Sequence, residues 1–378
     1  MNMSATNSRR VLSHSLFYCY DIMRRLLLLA VIAVCLATPL SGRAQVVFLD
    51  DVTSSPISEV VLMGGGGHLI GVSDREGRVL LDSYPSDSVT ASHIGYADLV
   101  TLIHPGDTLR MIQSAYSLPE VSVTALDPNA DYTEMEALVR IYQYIDEIPT
   151  YYTEAVVAFF LPRRGDKLKY SIRSLRAYSD EEFIKQAKTE SGSVSMGKNG
   201  LSNFLLNTPL PLGKGYTITD NGEVRRNGAP VGEVRKTEDG GYQVSIDWLG
   251  EKESRPRTLF GRTNTITIKR LVQTLSSYVP GEELSARDFL SLRTLTGLTT
   301  KYKDGPEKNL VNISDIYVLS LRSLSKGEVK AEKPSGDFGN VERSVSPESD
   351  VWSRMPSNIP PIPEVISASL GKSLRMMD

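Results

Sequence analysis

The sequence has few of the residues on which disulfide, thiol and imidazole chemistry depend. It contains 2 cysteines and 4 histidines in 378 residues, and both cysteines, Cys19 and Cys35, lie within the first 44. We therefore expect no disulfide or thiol after residue 44, so buried apolar side chains must stabilise the fold. No histidine follows His104. This absence argues against a Ser-His-Asp or Cys-His mechanism, and against histidine-ligated metal, in the larger C-terminal part.

A basic stripe and a second long apolar run are also missing. The formal net charge is -3, and lysine and arginine are dispersed along the chain, which predicts no nucleic-acid partner. After the first 44 residues no apolar run approaches the roughly 20 residues that a membrane-spanning helix needs. We therefore predict no transmembrane helix beyond that point.

The N-terminal 44 residues have the order of a secretory leader. Arg24 and Arg25 precede the apolar run 26–37, and small residues lead to Ala44. This pattern predicts a signal peptide cleaved near Ala44, and hence a protein exported to the periplasm or the outer-membrane surface. The alternative is a lipoprotein signal with lipid on Cys35, which bulky Val34 disfavours.

Residues 45–126 alternate between apolar and polar positions in short runs separated by turn residues. This pattern predicts a small antiparallel β-sandwich. The predicted strands are 46–49, 59–63, 68–73, 78–81, 88–92, 99–103, 108–112 and 121–124. Gly77, after the polar turn residues 74–76, is expected to have a positive φ.

Three segments of this region carry a family resemblance. Residues 74–79 (DREGRV), 89–96 (VTASHIGY) and 118–125 (LPEVSVTA) occur in order and at the expected spacing, and they resemble the carboxypeptidase-regulatory-like domain of Bacteroidota envelope proteins. The resemblance implies a transthyretin-like sandwich without a catalytic group of its own. The first strand lacks the usual opening glycine, and Ser58-Glu59 replaces the usual glycine before the second.

The rest of the chain predicts an α+β domain. We interpret residues 127–150 as a linker and a helix, because apolar residues in 134–145 follow helical spacing. Residues 151–326 read as a β-rich domain with a long antiparallel sheet that can curve, and 327–350 as a flexible linker. Residues 351–378 are expected to end in a short helix. Further helices are predicted at 180–188, 269–278 and 285–291. The fold class is thus mainly β, with a sandwich followed by an α+β domain.

A second, fainter resemblance concerns the same domain. Residues 147–157 and 352–364 resemble segments of a poorly characterised Bacteroidota family in which the regulatory-like domain precedes a β-rich region of unknown role. This resemblance supports the order of the two domains and implies no activity.

No catalytic, cofactor-binding or metal site is predicted. Glycines 64–67 lack the lysine and the helix of a phosphate loop and read as a hairpin tip. Acids for a carboxylate-only mechanism are present at Glu154, Asp247, Glu282, Glu283 and Asp288. Candidate O-glycosylation sites are Ser88 and Thr108, since Asp87-Ser88-Val89 and Asp107-Thr108-Leu109 resemble the short Bacteroidota signal.

Three functional hypotheses follow. The first is a non-catalytic binding or structural protein of the cell envelope, with an apolar groove for a protein, glycan or lipid partner. The second is an accessory of outer-membrane nutrient uptake or surface assembly, with an exposed apolar patch. The third is a hydrolase with two acids facing each other in a cleft.

Overall fold

The structure is a computed structural model and is mainly β, as predicted. It describes residues 44–64, 69–81, 83–93, 96–113, 122–123, 126–146, 148–163, 168–191, 216–237, 240–247, 249, 254–280, 284–285, 287–303, 305–334, 350–356 and 359–377. The predicted leader, both cysteines, Cys19 and Cys35, and the glycines at 65–67 lie outside these ranges.

Two small sheets form the N-terminal sandwich. The strands are β1 (Ala44–Asp50), β2 (Val61–Gly64), β3 (Leu69–Val72), β4 (Arg78–Leu81), β5 (Val89–His93), β6 (Tyr96–Thr101) and β7 (Thr108–Met111). Their orders are β4-β1-β7 and β3-β2-β5-β6. Alternate residues such as Val46, Phe48 and Val89 point between the sheets and are fully buried.

The remaining strands that the structure describes form one 13-stranded sheet. They are β8 (Ser122–Val123), β9 (Tyr132–Ile145), β10 (Ile148–Pro162), β11 (Lys169–Ser179), β12 (Tyr216–Ile218), β13 (Glu223–Arg226), β14 (Ala229–Lys236), β15 (Tyr242–Asp247), β16 (Arg257–Leu259), β17 (Arg262–Leu275), β18 (Phe289–Tyr302), β19 (Glu307–Leu324) and β20 (Arg375–Met376). The order is β12-β13-β14-β15-β17-β18-β19-β9-β10-β11-β20, with β16 beside β17 and β8 beside β19. The segment that closes the sandwich sequence therefore pairs with the large sheet.

Both faces of the large sheet are buried at its centre. On the face that we call inner, Val139, Phe159, Leu271 and Ile316 belong to the largest apolar core. On the opposite, outer face, the sandwich and the C-terminal segment pack against the strands, as the core that Met63 and Ile366 share with Tyr142 shows. Strands β9 and β10 are buried along nearly their whole length for this reason.

The described helices are short. They are α1 (Glu181–Ser191), α2 (Lys326–Ala331) and α3 (Glu364–Ser369), with a 3-10 turn at Asp350–Arg354. The predicted helix at 180–188 is confirmed by α1, and the C-terminal helix by α3. None of the helices within the described ranges is long and apolar enough to cross a membrane.

Three helix predictions and part of a linker prediction are wrong. Residues 134–145 belong to β9 and 269–275 to β17, while the segment predicted as a helix at 285–291 leads into β18. In β9 and β17 the apolar residues face both sides of a covered sheet, so their spacing does not identify a helix. The predicted flexible linker at 327–350 begins instead inside α2, whose N-terminus is a capping box between Ser325 and Glu328. Residues 335–349 of that linker lie outside the described ranges.

Candidate functional site

The sandwich is attached to the large sheet by arginine side chains that donate to backbone carbonyls. Arg75 of the sandwich donates from Nη2 to the carbonyl oxygens of Val231, at 2.5 Å, and of Asp247, at 3.1 Å. In the other direction, Arg235 of β14 donates to the Pro56 carbonyl oxygen at 3.2 Å. We call this contact region the seam.

A turn in the sandwich positions Arg75. The Asp74 carboxylate accepts hydrogen bonds from the backbone N–H groups of Glu76 and Arg78. Gly77 has φ +74°, as predicted, and a Cβ there would lie 2.4 Å from the Phe48 carbonyl oxygen. Only glycine fits this position. The turn that carries the family resemblance therefore also delivers an arginine to the seam.

The seam contains a half-open cavity of about 270 Å³. Its lining mixes hydrogen-bond donors and acceptors from the sandwich and from strands β14 and β15. The lining residues are Ser58, Glu59, Arg75, Gly232, Glu233, Arg235, Ser245, Ile246 and Asp247. Both parts of the chain contribute to this site, which we call the seam cavity.

Glu59 is the most unusual residue of the seam cavity. It is buried and has φ +66°, a backbone conformation that is uncommon outside glycine. Ser73 holds this conformation, because its carbonyl oxygen accepts from Glu59 N and its Oγ accepts from Val60 N at 2.8 Å. Burial raises the pKa of Glu59 to about 8, with Arg270 opposing and Asp247 reinforcing the shift. The side chain is therefore mainly neutral at pH 7 and can donate a hydrogen bond.

One guanidinium group contacts both acids of the site. Arg270 Nε lies 3.1 Å from Asp247 Oδ2 and 3.6 Å from Glu59 Oε1. The same side chain also donates to the Ser73 carbonyl oxygen, so three groups hold it in place. Both carboxyl groups of the site therefore contact the same guanidinium group.

The structure separates the acids that the sequence had identified. Asp247 lines the seam cavity, Glu154 lies in the centre of the outer face, and Asp288 accepts a hydrogen bond from Ser277 at 2.6 Å. Glu282 and Glu283 lie outside the described ranges. Sequence reasoning noted Ser58-Glu59 only as a departure from the family pattern, because the role of Glu59 depends on a contact with β17 about which its local sequence says nothing. In the part of the chain that the structure describes, no three histidine, cysteine, aspartate or glutamate side chains form a group that could hold a metal ion.

A second cluster of charges crosses the outer face as a row of directly opposed residues. In order across β11, β10, β9, β19 and β18 the row runs Arg176, Glu154, Arg140, Asp315 and Arg293. The signs alternate along it, and we call it the charge row. Its last four members, from Glu154 to Arg293, are buried.

Two ion-pair groups satisfy the charge row. Arg140 Nε donates to Glu154 Oε1 at 2.8 Å, and Arg176 Nε donates to Glu154 Oε2 at 2.7 Å. Burial alone would raise the pKa of Glu154, but the two guanidinium groups hold it below its ordinary value. Arg293 forms a bidentate pair with Asp315. Every acid in the row thus has an arginine partner, as buried charges require.

The C-terminal segment covers the charge row. Trp352 stacks on the Arg176 guanidinium at 4.3 Å, and the Pro360 carbonyl oxygen accepts from Arg140. Beyond them β20 pairs with β11 at Tyr178 and Ser179. The row is therefore covered and structural, and the seam cavity remains the better ligand site.

The histidines and the candidate glycosylation sites belong to the sandwich. His93 is buried with its ring edge-on to Tyr96 at 5.0 Å, and burial lowers its pKa to about 3, with Arg293 adding to the shift. His104 is exposed in a turn, and His68 lies outside the described ranges. Ser88 and Thr108 are both exposed, so neither hydroxyl is hidden from a glycosylating enzyme.

These features define a mainly β protein in which a small sandwich is docked on a large antiparallel sheet. No protein-family model matches the chain, and the search of curated proteins gives no match. The likeness to the regulatory-like domain therefore stays a prediction.

Proposed function

We propose that the chain is a non-catalytic binding protein of a Bacteroidota-type cell envelope, and that it binds a small polar ligand in the seam cavity. The observation that carries this proposal is the lining of the cavity, to which both parts contribute charged and hydroxyl groups. Export is supported by the leader pattern in residues 1–44. Attachment of the sandwich as an interaction module agrees with the family resemblance.

The chemistry of the seam cavity favours a hydroxyl-rich ligand. Guanidinium and hydroxyl groups and a neutral Glu59 supply donors, while Glu233 and Asp247 supply acceptors. A saccharide unit presents both types of group. At about 270 Å³ the cavity lies near the lower end of the range for small-molecule sites, so we propose a single sugar unit as the group that enters it.

The structure offers a different site from the large apolar groove that the sequence suggested. The largest apolar core of the described residues lies on the inner face, whereas the seam offers polar groups to a ligand. We therefore favour a glycan over a lipid as the ligand of this cavity.

Calorimetric titration with N-acetylglucosamine, galactose and glucuronate tests the proposal. We expect one of these sugars to bind, and Asp247→Asn and Ser245→Ala each to weaken binding by about tenfold, as the loss of a buried hydrogen bond to a ligand does. Asp98→Asn changes an exposed acid on the sandwich and should bind like the wild type. The proposal fails if no sugar of the panel binds, or if both cavity variants bind as the wild type does.

A carboxylate hydrolase is the second candidate, because Glu59 has the raised pKa of a general acid and Asp247 is its neighbour. The contacts of both carboxyl groups with the Arg270 guanidinium argue against it, because they already engage the two acids. Chromogenic aryl glycosides distinguish the two functions. Turnover that Glu59→Gln and Asp247→Asn abolish, and that Asp98→Asn retains, would favour the enzyme.

An accessory role in nutrient uptake or surface assembly is the third candidate. Val52 and Ile112 of the sandwich are 70% and 66% exposed, and the bond from Asp51 N to the Met111 carbonyl oxygen brings their segments together. Envelope proteins that co-purify with the wild type, and that Ile112→Asn releases, would support this role.

A further inference from the structure

The two-residue hairpin turn between β16 and β17 exposes two large apolar side chains at one end of the strands of the large sheet. Strands β16 and β17 pair from Arg257 to Asn264, with Leu259 opposite Arg262, so Phe260 and Gly261 form the turn. Leu259 is 66% exposed and Phe260 is 89% exposed. We call Leu259, Phe260 and Gly261 together the Phe260 tip.

The backbone of the Phe260 tip is unfavourable for phenylalanine. Phe260 has φ 51° and Gly261 has φ 75°, the pattern of a type I′ turn, in which asparagine followed by glycine is preferred. The same chain uses that preferred pair at Asn227 and Gly228, with φ 50° and 83°, in the hairpin of β13 and β14. A phenylalanine in this conformation that is also almost fully exposed gains no burial within the fold. Such a cost at an exposed tip points to a role outside the folded chain.

Basic residues surround the Phe260 tip. Arg257 and Arg262 flank it in sequence, and residues 254–264 contain no acid. The neighbouring β18–β19 turn joins the tip through the hydrogen bond from Lys303 N to the Gly261 carbonyl oxygen at 2.8 Å. The sequence of that turn contains two lysines, Lys301 and Lys303, and two acids, at positions 304 and 307. The two turns therefore carry a net positive charge around an apolar centre.

A further exposed apolar side chain lies at the same end of the strands. The turn between β9 and β10 is bonded there to the start of β19, through Asp146 N to the Asn309 carbonyl oxygen at 2.8 Å. Ile148, two residues later, is 41% exposed. This end of the sheet thus presents Leu259, Phe260 and Ile148 as exposed apolar side chains.

We propose that the Phe260 tip inserts Leu259 and Phe260 into an anionic lipid surface, while Arg257, Arg262, Lys301 and Lys303 contact the headgroups. An apolar tip with a basic surround matches the layered chemistry of such a surface, where aromatic rings enter the acyl boundary and cations stay with the phosphates. A protruding turn can enter a fluid lipid surface, which needs no preformed pocket to receive it. This site is separate from the seam cavity, so the two proposals stand or fall independently.

Co-sedimentation with vesicles tests the proposal. We expect the wild type, after removal of residues 1–44, to bind vesicles of mixed phosphatidylglycerol and phosphatidylcholine more strongly than vesicles of phosphatidylcholine alone. Binding should weaken as salt is added. Phe260→Asn installs the preferred turn residue and should lower vesicle binding by about tenfold or more, the effect of losing one buried aromatic side chain.

A matched control and a depth measurement complete the test. Val279→Asn replaces a valine that is 54% exposed in the connection between β17 and β18, at the opposite ends of those strands, and should bind as the wild type does. Phe260→Trp should show a blue shift of its emission on anionic vesicles and quenching by brominated acyl chains. The proposal is overturned if the wild type binds no vesicles, if Phe260→Asn binds equally well, or if the tryptophan is not quenched, as expected for a tip that enters a protein partner.

Discussion

Arg293 and Asp315 lie directly opposite each other on β18 and β19 and form a bidentate ion pair at 2.7 and 2.9 Å. Both residues are buried, and the Tyr317 hydroxyl donates a third hydrogen bond to Asp315 at 3.4 Å. A pair of charges removed from water in this way is satisfied only while both partners are present. The effect of mutating it therefore depends on whether one charge or both are removed.

Removing one partner should destabilise the fold strongly. We expect Asp315→Leu to lower the free energy of unfolding by about 3–5 kcal/mol, because Arg293 then stays buried without a counter-charge. The double variant Arg293→Met/Asp315→Leu should recover most of that loss. Urea titration followed by circular dichroism measures both. As a control, Asp350→Asn breaks an exposed pair with Arg354 and should cost less than about 1 kcal/mol. A double variant that loses as much stability as Asp315→Leu alone would contradict this expectation.

The neutral carboxyl of Glu59 should give the protein an unusual pH dependence. The pKa of Glu59 is raised from 4.5 to about 8 by burial, so between these values the folded chain holds a proton that the unfolded chain has lost. The free energy of unfolding should then fall as the pH rises from about 4.5 to about 8, by an amount on the order of a few kcal/mol. Glu59→Gln keeps the neutral shape and should remove this loss.

The measurement is the difference in urea stability between wild type and Glu59→Gln across pH 5 to 9. The free energy of unfolding of the variant, relative to that of the wild type, should increase as the pH rises. A constant difference over that interval would contradict the shift. Glu233→Gln, an exposed acid at the same cavity, is the control.

His93 should act in the opposite direction at lower pH. Burial lowers its pKa from 6.5 to about 3, so below pH 6.5 the unfolded chain binds a proton that the folded chain does not. This contribution makes the fold less stable as the pH falls from about 6.5 to about 3. His93→Phe keeps an aromatic ring beside Tyr96, and its stability relative to wild type should improve as the pH is lowered. Thermal unfolding of each variant and the wild type across this pH range measures the effect. His104→Gln, at an exposed site, should show no such trend.

The C-terminal segment should unfold together with the sheet. Ile366 of α3 is fully buried in a core that includes Tyr142 and Tyr152. We expect Ile366→Ala to lower the free energy of unfolding by about 2–5 kcal/mol, as a large-to-small core substitution does. Met376→Ala, at a residue 46% exposed in β20, should have little effect. If the tail detached independently, hydrogen exchange would speed up in α3 alone and the midpoint of global unfolding would not move.

The strands with a polar face were predictable from the sequence. Strand β4 was predicted at its observed bounds, 78–81, because alternation and turn residues fix it. Strand β9 was misread because sandwich, core and C-terminal segment bury both its faces, and the residues Met135, Leu138 and Tyr142 then happen to repeat at helical spacing. Local pattern does not contain the information that distant segments cover a strand.

The candidate site was predictable only in part. Asp247 was recognised as an available acid, and Arg75 belongs to the turn that carries the family resemblance. Their meeting with Glu59 depends on the docking of the sandwich on β14, β15 and β17, a contact between segments far apart in sequence. The raised pKa of Glu59 is a product of that burial, so no sequence signal marked it.

The charge row has a consequence for how the long strands find their partners. If β9 slid by two residues against β10 and β19, the side chains facing Glu154 and Asp315 would be Leu138 or Tyr142 instead of Arg140. Glu154 would lose one of its two arginines, and the Arg140 guanidinium would be left without a carboxylate partner inside the protein, a state that costs several kcal/mol. Apolar neighbours alone would tolerate such a slide far better. The alternating charges therefore specify the register of these strands, because they stabilise one alignment and destabilise the neighbouring ones.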